Sequence, residues 1–311
     1  MKILVTYNLP RLPFENLPSD WEITFPSNEQ MSREEIIHLL PEYDVLLTIF
    51  HSHDIVDKEI IDVGTKLKLI SNYGVGYNNI DVQYAREKGV TVTNTPRSVN
   101  NPTAELAMAL MLSVARRVSE CNFRIRKEKE SMWGTMKNLG FSLKGKTLGI
   151  IGMGNIGRNV ARKAEAFGMK VIYYNRRTEV AGYQRTDLDT LLQTSDFISL
   201  HTPLTAETRH LIDIREFSLM KPTAILVNTA RGAVINEKAL AEALRNRAIA
   251  GAALDVFEDE PHITEALYEF DNVVLTPHIG TGTIDTRIAM AEEALTNIRN
   301  FFNGTPTNVV N

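Results

Sequence analysis

An alternation constrains this sequence more than any other feature. Short runs rich in β-branched and aromatic residues are followed repeatedly by stretches of helical spacing, which predicts parallel sheets covered by helices, because parallel neighbours need a crossover between them. Strands are predicted at Lys2–Tyr7, Glu22–Phe25, Asp44–Ile49, Leu67–Ser71 and Val90–Thr93. A second series follows at Thr147–Ile151, Lys170–Tyr174, Phe197–His201, Ala224–Asn228, Gly251–Leu254 and Val273–Leu275. Ser32 with Glu35 three residues on is a capping-box pattern opening a helix over Arg33–Leu40. Between the two series the texture changes. Asn101-Pro102 opens a long helix, apolar over Ala104–Ala115 and charged over Arg116–Glu130, and a polar stretch follows through Lys146. A last amphipathic helix is predicted at about Ile284–Phe302, with Gly304 as its stop.

At 311 residues the chain is long enough for two domains. Its 43% apolar and 23% charged composition is that of a globular protein rather than a disordered one. A net charge of −4 supplies no strong basic field, so nucleic acid is not expected as a partner. The single cysteine, Cys121, excludes an internal disulfide and a cysteine metal cluster and fits a reducing, cytoplasmic setting. The apolar stretch Ala104–Ala115 has 12 residues, too few for a bilayer span, and reads as a buried core helix. No export segment is visible, and no membrane association is expected.

After the strand Thr147–Ile151 comes Gly152-Met153-Gly154-Asn155-Ile156-Gly157, and a helical pattern follows at once. Glycine turns are common, but one that joins a strand to a helix inside a β-α-β unit is the context of a dinucleotide-binding turn. Gly152 permits the turn, Gly154 lets a pyrophosphate approach the backbone, and Gly157 lets helix pack on strand. The helix start then offers N–H groups and a positive dipole end to phosphate. The next strand ends in Tyr174-Asn175-Arg176-Arg177. No carboxylate stands there to bind a ribose 2′-hydroxyl, and two guanidiniums can grip a 2′-phosphate, which predicts NADP(H) as the preferred cofactor with NAD(H) possible. The plain alternative is that both arginines simply face solvent.

Ligands of an open parallel sheet bind beyond the carboxyl ends of its strands. Four later strands end in His201-Thr202-Pro203, Thr229-Ala230-Arg231-Gly232, Asp255 through Pro261, and Thr276-Pro277-His278-Ile279-Gly280. Singly, each of these polar residues reads as a surface group or a satisfied side chain. Their joint placement after successive apolar strands gathers Arg231, Asp255, Glu260 and His278 along one rim.

These segments, with Gly-Val-Gly-Tyr-Asn-Asn-Ile-Asp at 74–81, resemble the D-isomer-specific 2-hydroxyacid dehydrogenase family over nearly the whole chain. Within that family the chain resembles NADP-dependent glyoxylate/hydroxypyruvate reductases most. The resemblance implies an α/β architecture of two doubly wound parallel-sheet domains. A Rossmann cofactor domain, 98–284, would be inserted in a flavodoxin-like substrate domain, 1–97 plus 285–311. It implies Arg231 as the residue that binds the substrate carboxylate and carbonyl, His278 as the acid/base, and Glu260 as its partner. Asp255 would face the nicotinamide carboxamide. Thr103, Asn155, Ile156, Asn175, Thr208, Thr229, Ala230 and Gly280 would join the glycine loop, Arg176, Arg177 and the His201-Thr202-Pro203 segment around the cofactor. Val75 and Gly76 would offer N–H groups to the substrate carboxylate. His51, in His51-Ser52-His53, would line the substrate site; two histidines at i, i+2 without a carboxylate or cysteine set match a metal site poorly, so no metal is expected. Three departures stand out: Asn175 where the family usually carries an acid, Asn78 where many members carry Asp, and Thr281-Gly282-Thr283 in place of the usual small-residue run after the histidine.

The expected chemistry is hydride transfer between NADP(H) and a small 2-keto or 2-hydroxy acid. Histidine suits the proton donor near neutral pH, and a neighbouring carboxylate favours the imidazolium, so Glu260 is expected to keep His278 loaded with its proton. Hinge closure would exclude water. The region from Ala104 through Lys144 resembles the family's dimer-forming segment, so a homodimer is expected. Alternatives are a larger 2-keto acid, such as 2-ketogluconate, and a non-enzymatic dinucleotide-sensing scaffold. Formate oxidation is disfavoured because Glu260 is retained.

Overall fold

The computed structural model describes residues 1–49, 55–129 and 133–311, and divides the chain into two compact units, 1–99 with 281–311 and 100–280. The first unit holds strands β1 (Lys2–Val5), β2 (Glu22–Thr24), β3 (Val45–Thr48), β4 (Leu69–Asn72) and β5 (Thr91–Thr93), paired in parallel in the order β2-β1-β3-β4-β5. Its central strands β3 and β4 are buried along their whole length, as strands covered on both faces must be. One face carries Leu4, Leu46, Ile70 and Val92 under the helices Arg33–Leu39, Lys58–Val63 and Val82–Glu87. The other carries Ile3, Val5, Val45, Leu47 and Leu69 under the helix Ile284–Phe302, which returns Met290, Ala294, Leu295 and Ile298 to this core. The predicted capping box is present: Ser32 accepts from the Glu35 amide and Glu35 accepts from the Ser32 amide.

The second unit holds β6 (Thr147–Ile151), β7 (Lys170–Tyr174), β8 (Gln184–Arg185), β9 (Phe197–Leu200), β10 (Ile225–Asn228), β11 (Gly251–Leu254) and β12 (Val273–Leu275). They pair in parallel in the order β12-β11-β10-β9-β6-β7-β8, the Rossmann arrangement. The helices Asn100–Ala115 and Asn155–Ala166 cover one face of this sheet, with Ala104, Ala107, Met108 and Met111 buried against Leu148, Ile150, Ile225 and Val227. Leu191, Phe217, Leu240 and Leu244 cover the other. The strand order reverses between β6 and β9, so the turn after β6 and the segment after β9 open onto one switch point.

Two elements differ from expectation. The helix begun at Asn100 does not run on to Glu130. It stops at Ala115, Arg117 takes a left-handed backbone with φ 55°, and a second helix runs Val118–Glu128. The Ala115 carbonyl bonds to the Phe141 amide (2.7 Å) rather than continuing a helical ladder, and a Cβ at Gly140 would lie 2.2 Å from that carbonyl oxygen. Strand β8 has no counterpart in the prediction, since its two residues are polar and exposed at the sheet edge. No helix among the described residues is long and apolar enough to cross a membrane.

Candidate active site

Every strand of the second sheet points the same way, so its carboxyl-end turns lie along one rim. The turn after β6 is tight because Gly152 adopts φ 98° and a Cβ there would strike the His201 carbonyl at 2.6 Å. A Cβ at Gly157 would lie 2.4 Å from the Gly152 carbonyl oxygen, so the helix beginning at Asn155 packs directly on the turn. Gly154 differs: apart from its chain neighbours, no described residue places an atom within 4 Å of a Cβ built there. This open backbone, at the N-terminus of a 12-residue helix, suits a pyrophosphate. Asn175 closes the turn from β7, accepting from the Met153 amide (2.7 Å) and donating to the Thr178 hydroxyl (2.9 Å). Just beyond it, Arg176 and Arg177 are exposed, and Arg176 lies 3.4 Å from Glu207. Arg185 braces this end by donating to the carbonyls of Asn175 and Arg176.

The next strand ends bring polar groups into the same rim. Thr202 and Thr229 have buried hydroxyl oxygens without a hydrogen-bond partner among the described residues. An unsatisfied buried hydroxyl costs about 1–3 kcal/mol, so these two oxygens fit a site whose ligand supplies the partner. With the open Gly154 backbone, they make the rim a good match for a dinucleotide. Ala230 follows on the same turn, 7% exposed, and Thr103 packs beside Gly280, 3.5 Å from a Cβ built there. Thr208 serves the local turn instead, since its hydroxyl donates to the Pro203 carbonyl (2.6 Å) and accepts from the Thr205 amide. His201 bonds the Ser199 hydroxyl through Nε2 (2.8 Å), and burial pushes its pKa down to about 3, so the ring is neutral.

Three turns then converge. Asn228 shapes the first, accepting from the Ala230 amide and donating to the Arg231 carbonyl. Gly232 packs so tightly on the second, the loop after β11, that a Cβ would overlap the Phe257 carbonyl carbon at 1.8 Å. That approach sets Arg231 beside the loop carrying Glu260. Burial pushes the Arg231 guanidinium below its ordinary value, against the charge of Glu260, which raises it. Glu260 Oε2 accepts from His278 Nδ1 at 2.8 Å, and its Oε1 accepts from the Phe257 amide at 2.9 Å. His278 itself stands at φ 52°, a backbone that non-glycine residues adopt only where their surroundings impose it.

The surrounding group is Asp255. This carboxylate, 1% exposed, accepts from the Thr276 hydroxyl (2.6 Å) and the Ile279 and Gly280 amides (2.8 Å each). It therefore grips the turn on both sides of His278, a role that sequence reasoning missed. Burial raises the Asp255 carboxyl above its ordinary value despite those three donors.

In the first unit, the loop after β4 is drawn inward by side-chain amides. Asn72 donates to the Gly74 and Gly76 carbonyls (2.9 Å each), and Asn94 donates to the Val75 carbonyl (2.8 Å). His51 lies outside the described residues, as do Ser52 and His53. No group of three or more metal-ligating side chains occurs among the described residues.

Comparison with known proteins gives a consistent result. Residues 108–280 match the family model of the D-isomer specific 2-hydroxyacid dehydrogenase NAD binding domain. The chain is 45% identical to a glyoxylate reductase of Thermococcus litoralis, an alignment covering 100% of this chain and 96% of that protein. It resembles the crystal structure of a glyoxylate reductase from Paecilomyes thermophila with TM-score 0.90 at 36% identity, covering 99% and 98% of the two chains. It also resembles an NADPH-dependent glyoxylate/hydroxypyruvate reductase of Sinorhizobium meliloti, solved with NADP and malonate, with TM-score 0.86 at 30% identity, covering 99% and 96%.

The Glu260 carboxyl gives a pH signature. Burial alone would raise it, but the His278 hydrogen bond and charge, the Phe257 amide and Arg231 outweigh burial and hold it below the ordinary 4.5. The ionised group therefore contributes its full stabilisation above pH 4.5, and loses it as the pH falls through the lower folded value. Thermal melts of the wild type and Glu260→Gln from pH 7 to pH 3 should show a stability gap that is widest near neutrality and closes in acid.

Proposed function

The chain belongs to the D-isomer-specific 2-hydroxyacid dehydrogenases and is an NAD(P)-dependent enzyme of that family, and on that premise we propose that it reduces glyoxylate or hydroxypyruvate with NADPH. The observation that carries this reading is the His278–Glu260 hydrogen bond on the rim of the sheet that also bears the glycine turn.

The proposed residue roles follow from that geometry. When bound, NADPH supplies the hydride. The residues that would hold it are Gly152, Gly154, Asn155, Ile156 and Gly157 at the pyrophosphate, with Thr202 and Thr229 offering their hydroxyls. Negative charge grows on the substrate's carbonyl oxygen as it is reduced, and Arg231 meets that charge while its forked donors hold the carboxylate. His278, with Nδ1–H committed to Glu260, delivers a proton from Nε2 to the same oxygen. Glu260 stabilises the imidazolium and fixes the ring's orientation. Val75 and Gly76 are proposed as backbone donors to the substrate carboxylate, because the carbonyls of their loop are turned to Asn72 and Asn94.

The preference for NADP(H) rests on Asn175, Arg176 and Arg177. Asn175 presents no charge to repel a phosphate, and its side-chain oxygen is already engaged by Met153. The Arg176–Glu207 pair is solvent-exposed, so exchanging that partner for a phosphate costs little. We also propose a homodimer. Val118, Phe123, Ile125, Trp133, Met136 and Leu139 leave large apolar side chains in solvent along one stretch of the second unit, Trp133 at 88% and Met136 at 80% exposure, and a second copy would cover them.

Three outcomes test these readings. A panel of glyoxylate, hydroxypyruvate and 2-ketogluconate, assayed by dinucleotide absorbance, should give the highest kcat/KM with glyoxylate or hydroxypyruvate, and His278→Ala should lower kcat on that substrate roughly 100- to 10,000-fold. Absence of turnover across the panel, or an active His278→Ala enzyme, would refute the proposal. Replacing Arg176 and Arg177 together with Ala should raise the KM for NADPH about 10- to 100-fold while leaving that for NADH within a few-fold. Sedimentation should give twice the chain mass for the wild type and one chain mass for Phe123→Glu combined with Met136→Glu.

A further inference from the structure

Glu237 opens the helix Glu237–Arg245 directly after the capping residue Asn236. An acid in a first helical turn ordinarily sits in water near the positive dipole end. Glu237 is instead 2% exposed, and a buried carboxylate needs partners. Both of its oxygens are spent on one loop: Oε1 accepts from the Glu258 amide at 2.7 Å, and Oε2 accepts from the Thr264 hydroxyl. These donors flank Glu260 in the chain. The Glu258 side chain is tied in turn to His210 Nε2, a second imidazole–carboxylate pair in which only the carboxylate comes from this loop.

We propose that Glu237 is a positioning residue for the proton-donating pair: by gripping the loop at 258 and 264 it fixes the point at which Glu260 Oε2 meets His278 Nδ1. The inference rests on the reading of His278 and Glu260 given above. Asp255 does the corresponding work for His278, so each member of the pair is held by a different buried carboxylate. Glu237 is bonded to the loop and to neither member of the pair. Its effect is indirect, through a hydrogen bond whose geometry must hold to a fraction of an ångström for efficient proton delivery.

The test compares Glu237→Ala, Glu237→Gln and Thr264→Val with the controls Glu260→Gln and His278→Ala, using the full-length enzyme with NADPH and glyoxylate. Glu237→Ala should lower kcat about 10- to 100-fold, leave the KM for NADPH within twofold, and move the high-pH limb of kcat in the same direction as the Glu260→Gln control. Glu237→Gln keeps an acceptor for the Glu258 amide and should recover most of kcat. Thr264→Val removes one of the two ties and should give a smaller shift in the same direction, which carries the test even if Glu237→Ala does not fold. In the Glu260→Gln background, Glu237→Ala should add little further loss. Wild-type kcat and pH limb in Thr264→Val, with Glu237→Ala either unaffected or equally damaging in both backgrounds, would overturn the inference. Full activity in Glu260→Gln and His278→Ala would instead overturn the reading of the pair itself.

Discussion

The site depends on one buried carboxylate. Asp255 stands at the end of β11, and its three accepted hydrogen bonds come from the turn that carries His278. A carboxylate removed from water is costly unless it is well bonded, and here the bonding itself determines backbone shape. The turn cannot relax without stripping Asp255 of its donors, so His278 is kept in a left-handed conformation that a free chain would leave. A local cost is thereby exchanged for a fixed imidazole.

Steric constraint does the complementary work on the other turns. Residue 232 must be glycine for the Arg231 turn to reach the backbone of Phe257, and residue 152 must be glycine for the first turn to pass under His201. At 154 the opposite holds, since among the described residues nothing beyond its own neighbours crowds that position. The glycines that let the protein touch itself are thus separated from the one that leaves room for something else. Orphaned hydroxyls at Thr202 and Thr229 mark the same side of the sheet.

Much of this was legible from the residues. The strands β6, β7, β11 and β12 match expectation at both ends, because each is an apolar run bounded by polar or glycine residues. The final helix also matches, with Thr283 as its cap. Arg231, Glu260 and His278 stand together on three successive strand-end turns, as their places after apolar strands suggested. Other features left no readable trace. β8 has too few residues and no apolar pattern. The break at Arg117 depends on a bond from Phe141, 24 positions away in the chain, and only Gly140 hints at so close a contact. The sequence singles out Asp255 as a residue of the cofactor side but not as the clamp on the His278 turn, and Glu237 reads as an ordinary helix-start residue. Their roles follow from burial, which arises only once distant turns meet.

The placement of the last helix has a consequence for synthesis. The face of the first sheet formed by Ile3, Val5, Val45, Leu47 and Leu69 is covered by Met290, Ala294, Leu295 and Ile298, from the far end of the chain. The ribosome adds those residues after the whole of the second unit, at a pace of roughly 5–20 residues per second. All the core residues of the inserted second unit are translated before them. The first sheet therefore acquires its full hydrophobic cover only after the second unit has been translated, and its bare face is what a nascent-chain chaperone would meet.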